Sequence, residues 1–138
     1  MLLDEFYTGA SFDAHSYFGA HEENTGFAFR VFAPGAEKVE LIGDWNDWIG
    51  AKMDRDTGGI WSCLAPDAKA GQLYKFRIYQ TDGRVLDKAD PYAFSSELRP
   101  KTASRLVGKS DFHFTDEAWV QARDLYYDAP MNIYELHL

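Results

Sequence analysis

The sequence predicts an all-β fold, a β-sandwich of immunoglobulin-like type with a short helical N-terminal arm and a C-terminal extension. The first reason is periodicity: Phe27, Phe29 and Val31, then Val39, Leu41 and Gly43, then Tyr74, Phe76 and Ile78 recur at every second position, the spacing of half-buried strands. A second is punctuation, since Ala33-Pro34-Gly35, Asp56-Thr57-Gly58-Gly59 and Thr81-Asp82-Gly83-Arg84 are turn sequences at short intervals. The third is that no long amphipathic helix separates these runs, and short connections favour antiparallel pairing.

The elements follow in order. Residues 1–22 read as the arm, with apolar Leu3, Phe6, Tyr7, Phe12, Tyr17 and Phe18 interrupted by Gly9. Asp13 is expected to cap a short helix over Ala14 to Gly19. Residues 23–108 form the sandwich, opened by the strand from Phe27 to Phe32 and the strand through Val39 and Leu41. Ile60 to Leu64 is the next strand, with Trp61 and Cys63 on one face. Leu73 to Gln80 turns Tyr74, Phe76 and Ile78 to the core and Lys75, Arg77 and Tyr79 away from it, and the turn after it leads into Val85-Leu86. Lys88 to Thr102, with Asp90-Pro91 and Arg99-Pro100, reads as an extended crossing segment, and Ser104 to Val107 as a last strand. Residues 109–138 read as a linker with a helical turn after Thr115-Asp116-Glu117 and, from Asn132 to Leu138, a strand by composition that the chain leaves unfinished. This last stretch is expected to find no place in the core, as in a piece cut from a longer chain.

Composition narrows the function. Fourteen Lys and Arg against 22 Asp and Glu give a net charge of −8, which repels phosphate backbones and anionic membranes but does not penalise a neutral polymer. Aromatics make up 16% of the residues, so rings must fill the core or face a ligand. Cys63 is alone, which leaves no internal disulfide and no cysteine zinc site, and it reads as a small core residue. His15, His21, His113 and His137 lack metal-ligand spacing, so no metal or cofactor is expected. Met1 to Glu5 does not begin a signal peptide, no stretch reaches membrane-spanning length, and a cytoplasmic setting is expected.

The stretch with most chemical content is Gly43-Asp44-Trp45-Asn46-Asp47-Trp48. Two indoles among small polar residues at a strand end are hard to bury together. An indole offers a flat apolar face and one N–H donor, which suits the C–H face and hydroxyl rim of a glucose ring. Trp45 reads first as a cap on the core, and Trp48 as the ring left for a ligand. The carboxylate pairs Asp44 with Asp47 and Glu22 with Glu23 read as loop and surface charges, not as the two carboxyls that retaining glycosidase chemistry holds across a cleft.

Phe32-Ala33-Pro34-Gly35-Ala36, the Gly43 to Trp48 run, Gly59-Ile60-Trp61 and Tyr74-Lys75-Phe76 resemble the glycogen-binding module (carbohydrate-binding module family 48) of α-glucan enzymes. Tyr17-Phe18-Gly19-Ala20-His21, Lys88-Ala89-Asp90-Pro91-Tyr92-Ala93, Glu97-Leu98-Arg99-Pro100 and Ile133 to Leu138 resemble the 1,4-α-glucan (glycogen) branching enzymes more narrowly. The resemblance implies a module preceding a (β/α)8 barrel that carries the catalytic carboxylates, so no catalytic residue is expected within this chain. Its implied partners are α-1,4-glucan (glycogen or maltooligosaccharide) and the barrel of the parent protein. In a related glycogen-binding module of a protein kinase, the positions matching Trp48 and Lys75 contact sugar. The resemblance therefore implies Trp48 and Lys75 as binding residues, with Trp45 and Asn46 from the same loop. That module's second stacking tryptophan has no counterpart here, and Arg84 after Gly83 is the substitute. Two other readings stay open: a structural module that braces the barrel and binds little sugar, and the same module from an isoamylase-type debranching enzyme.

Overall fold

The computed structural model describes residues 3–110, 112–123, 130 and 132–137. In chain order the strands are β1 (Gly19–Glu23), β2 (Gly26–Phe32), β3 (Ala36–Gly43), β4 (Ala51–Lys52), β5 (Asp54–Arg55), β6 (Ile60–Ala65), β7 (Leu73–Gln80), β8 (Val85–Lys88), β9 (Ser95–Ser96) and β10 (Ser104–Arg105). They build two antiparallel sheets, one ordered β1-β2-β6-β5 and the other β4-β3-β7-β10-β9 with β8 also paired to β7. This is the expected all-β sandwich. Helix α1 (Leu3–Tyr7) precedes it and α2 (Glu117–Ala122) follows.

The alternating side chains meet between the sheets as their period requires. Phe29 and Val31 of β2, Val39 and Leu41 of β3, Trp61 of β6, and Tyr74 and Phe76 of β7 share one buried cluster. The Phe29 and Tyr74 rings pack edge to face at 5.1 Å. Register keeps these positions on one face: Val39 lies opposite Ile78, Leu41 opposite Phe76 and Gly43 opposite Tyr74. The residues between them, Lys75, Arg77 and Tyr79, then point outward.

Asp90 fastens the crossing segment. It is 6% exposed, accepts the Tyr74 hydroxyl at 2.6 Å and the Tyr92 N–H at 2.8 Å, and its own N–H donates to Ser104 Oγ at 2.9 Å. Burial raises its carboxyl above the usual carboxylate range against the opposing pull of those donors. Beyond it, Tyr92 stacks on the buried Phe18 at 5.3 Å.

Several local readings need correction. Gly19–Glu23, all but Glu23 expected within the arm, is an edge strand paired to β2, with Ala20 opposite Phe29. Glycine, alanine, histidine and glutamate give no apolar period, so the strand is set by its neighbour's backbone. The helix expected over Ala14 to Gly19 is a single 3₁₀ turn, Ala14–Ser16, without an Asp13 side-chain cap; the Asp13 carboxylate instead accepts the Ser11 hydroxyl at 2.9 Å. The arm packs through aromatic rings, Phe6 meeting Phe18 at 4.6 Å and Phe32 at 5.2 Å. Residues 132–137, expected as a strand by composition, form no strand among the described residues, while the exposure of Ile133, Tyr134 and Leu136 agrees with the expectation that this stretch finds no place in the core; Leu138 lies outside the described residues.

Candidate functional site

The loop after β3 is built to an unusual backbone. Gly43 closes the strand without a side chain, and a Cβ there would lie 2.5 Å from the Trp45 ring and 2.7 Å from the Leu73 carbonyl oxygen. A 3₁₀ turn over Asp44–Asn46 follows. The Asn46 amide ties its end back to β3, accepting the Gly43 N–H at 2.9 Å and donating to the Leu41 carbonyl at 3.2 Å. The chain then reverses through two left-handed residues, Asp47 at φ 52° and Trp48 at φ 59°. Aspartate tolerates that region, but a bulky tryptophan there is an outlier. The Trp48 N–H donates to the Gly43 carbonyl at 3.0 Å and locks the reversal.

The two indoles part company here. Trp45 turns inward, packs on the core and stacks on Phe29 at 5.5 Å. With Asn46 it borders a cavity of about 240 Å³ that opens between the sheet edges near Cys63 and Pro66. Trp48 is half-buried and its Nε1–H donates to Asp44 Oδ1 at 3.1 Å. The other oxygen of Asp44 accepts the Leu73 N–H at 2.8 Å. One carboxylate thus ties the indole to the start of β7, two residues before Lys75 on the same outward face. Ile42, the residue before Gly43, pairs with Lys75 across the strands.

Outward from β7, Lys75 Nζ donates to Thr102 Oγ1 at 2.8 Å. Arg77 forks onto Asp87 at 2.8 and 2.9 Å, and that bond raises the guanidinium pKa and lowers the carboxyl below its usual range. Tyr79 donates to Glu40 at 2.8 Å, and Glu40, paired to Lys38, is likewise held low by that lysine. The loop beyond Trp48 lies against this ladder, since a Cβ on Gly50 would collide with the Glu40 carboxylate.

Of the residues singled out in the sequence, Trp48 is linked through Asp44 to Leu73, two residues before Lys75 on β7. Trp45 and Asn46 shape the loop from its inner side. Arg84 sits at the tip of the β7–β8 hairpin, paired with Asp82 at 2.7 Å, about 17 Å of strand away from Lys75. Asp44 and Thr102 were missed. The Asp44 role was within reach, since a carboxylate four residues before an indole in a turn is an available acceptor. Thr102 had no signal, because its neighbour depends on the path of the crossing segment. Burial pushes the Cys63 thiol up to about 12, which leaves it protonated and inert at neutral pH. Among the described residues there is no cluster of potential metal ligands and no helix long and apolar enough to cross a membrane.

The sequence profile of carbohydrate-binding module 48 (isoamylase N-terminal domain) matches residues 17–93. The chain is 42% identical over 137 residues to the 1,4-alpha-glucan branching enzyme GlgB of Fusobacterium nucleatum, covering 96% of this chain and 22% of that protein. It is 43% identical over 141 residues to the corresponding enzyme of Bacillus caldolyticus, covering 96% and 21%. The chain thus spans about a fifth of the length of these curated relatives. Among solved structures, the maltotriose complex of PulA from Klebsiella pneumoniae is similar with a TM-score of 0.58 and 28% identity, over 69% of this chain and 11% of that one. With the profile match spanning both the tryptophan loop and the Lys75 strand, the chain belongs to the carbohydrate-binding module 48 family.

Proposed function

We propose that this chain is the non-catalytic α-glucan-binding module of a 1,4-alpha-glucan branching enzyme, acting in the cytoplasm and holding α-1,4-glucan near a separate catalytic barrel that forms α-1,6 branches. The observation that carries the reading is Trp48, a half-buried indole kept in a left-handed backbone and tied through Asp44 to Leu73, at the start of the strand on which Lys75 donates to Thr102. Backbone strain of this kind persists where the surrounding structure enforces it, and it gathers at ligand sites. In the proposed mode a glucose ring lies on the free part of the indole face, and its hydroxyls exchange with the Lys75–Thr102 pair. Hydrogen bonds to a charged group contribute roughly 1.5–3 kcal/mol before desolvation, so one such site is weak. Avidity then comes from many sites along a polymer.

The acidic residues support a non-catalytic role. Asp44 is committed to Trp48 and Leu73, and Glu22 accepts the Lys109 N–H at 2.6 Å. The bracing alternative draws on a specific observation too: Trp48 Nε1, both ends of the Asn46 amide and Lys75 Nζ already have partners within the module. Titration with maltoheptaose, followed by tryptophan fluorescence and calorimetry, separates the two. A saturable response that Trp48→Ala removes and Thr102→Val weakens is expected. No heat and no spectral change at millimolar sugar would leave only the brace.

A further inference from the structure

On the far side of Thr102 lies a feature that neutral-sugar binding does not use. Glu97, Leu98, Arg99, Pro100, Lys101 and Arg105 line an open hollow of about 360 Å³. Three cations there face one carboxylate, in a chain whose net charge is −8. Glu97 meets only part of that charge, lying 3.7 Å from Lys101 and also accepting the Ala103 N–H at 3.2 Å. Arg105 bonds a backbone carbonyl, Gly71, at 2.8 Å. Arg99 is exposed and has no acidic partner among the described residues. Leu98 stands on the rim, 89% exposed.

The hollow adjoins the glucan surface directly. Lys101 precedes the Thr102 that holds Lys75, and Arg105 lies opposite Leu73, two residues from Lys75. An apolar rim next to unneutralised cations fits a ligand with a C–H face and an anionic group. The charge of the rest of the chain opposes a polyanion such as nucleic acid, whereas one isolated anion on a neutral polymer meets mainly the local field. A phosphate monoester carries about −1.5 to −2 charges at pH 7 and three acceptor oxygens suited to guanidinium and ammonium donors. We infer that the hollow at Arg99, Lys101 and Arg105 recognises a phosphate monoester on an α-glucan whose neighbouring glucose rests at Trp48 and Lys75, an inference that builds on the α-glucan reading above.

The test compares this chain's affinity for maltoheptaose with that for a maltodextrin of the same length carrying one C6 phosphate, with glucose 6-phosphate alone as a third ligand. The phosphorylated dextrin is expected to bind roughly tenfold tighter, with the advantage shrinking as salt rises from about 0.05 to 0.5 M. The double variant Arg99→Gln/Lys101→Gln, which alters two exposed side chains, is expected to erase the advantage and leave maltoheptaose affinity unchanged. Equal affinities for the two dextrins would overturn the phosphate inference and leave the glucan reading standing. Binding of neither dextrin would overturn both. Glucose 6-phosphate matching the phosphorylated dextrin, or a single-stranded oligonucleotide exceeding it, would show a free-anion or nucleic-acid site and overturn the inference as well.

Discussion

Trp48 allows a test in which the usual ranking of alanine and glycine reverses. Replacing it with alanine removes the indole but leaves a Cβ at φ 59°. Replacing it with glycine removes both. Loss of the indole's packing and of its 3.1 Å bond to Asp44 is common to the two variants and cancels. What differs is the left-handed penalty on an L-residue, roughly 1–2 kcal/mol, set against the extra unfolded-state freedom of glycine, about 0.4–1 kcal/mol. The glycine variant is expected to be the more stable by about 0.8 kcal/mol, the difference between the middles of those ranges. With a urea slope near 2 kcal/mol per molar, its midpoint should lie about 0.4 M higher. Urea unfolding followed by far-ultraviolet circular dichroism reads this directly, and neither variant should respond to maltoheptaose. An alanine variant as stable as the glycine variant would refute the claim that the backbone at this position is strained.

Asp44→Ala should cost about 1–2 kcal/mol in the same unfolding assay and should weaken maltoheptaose binding by freeing the Trp48 ring and the Leu73 N–H together. Tyr74→Phe leaves the buried Asp90 short of a donor and should destabilise by about 1–3 kcal/mol. The pH dependences of two carboxylates should have opposite signs. Asp90 is raised by burial, so its contribution is most favourable below the ordinary carboxylate value and is lost as pH rises through the raised one; Asp90→Asn should remove that decline. Asp87 is lowered, chiefly by its bond to Arg77, so its contribution is present at neutral pH and lost as pH falls through the lowered value. Asp87→Asn should therefore destabilise at pH 7 and not in acid, by no more than about 0.5–1 kcal/mol because the pair is partly solvated.

What the sequence disclosed follows from what repeats in it. The alternation of Tyr74, Phe76 and Ile78 with Lys75, Arg77 and Tyr79 gave both the strand and which of its side chains leave the core. The inward turn of Trp45 was also readable, since an indole at a strand end beside Gly43 can reach the core, where it packs on Phe29. Two-residue strands such as β4, β5 and β9 are too short for any period to show. The pairing of Gly19–Glu23 was hidden because it is written in backbone bonds, not in apolar side chains. Thr102 depends on where Asp90 anchors a segment that carries no regular pattern of its own. Arg84 illustrates the limit of reading by adjacency: a turn following the right strand is still a strand's length from its beginning.

The Tyr74–Asp90–Ser104 network has an evolutionary corollary. The indole and the hydroxyl that together frame the proposed docking surface belong to stretches of chain more than fifty residues apart, and this interior clasp, with the pairing of β10 to β7, fastens the later one to the sheet that carries Lys75. A shuffled or pared-down descendant that kept everything through β8 would inherit the aromatic half and forfeit the other. Sugar recognition at this surface should accordingly be gained or discarded as a unit, with the clasp as its hidden prerequisite.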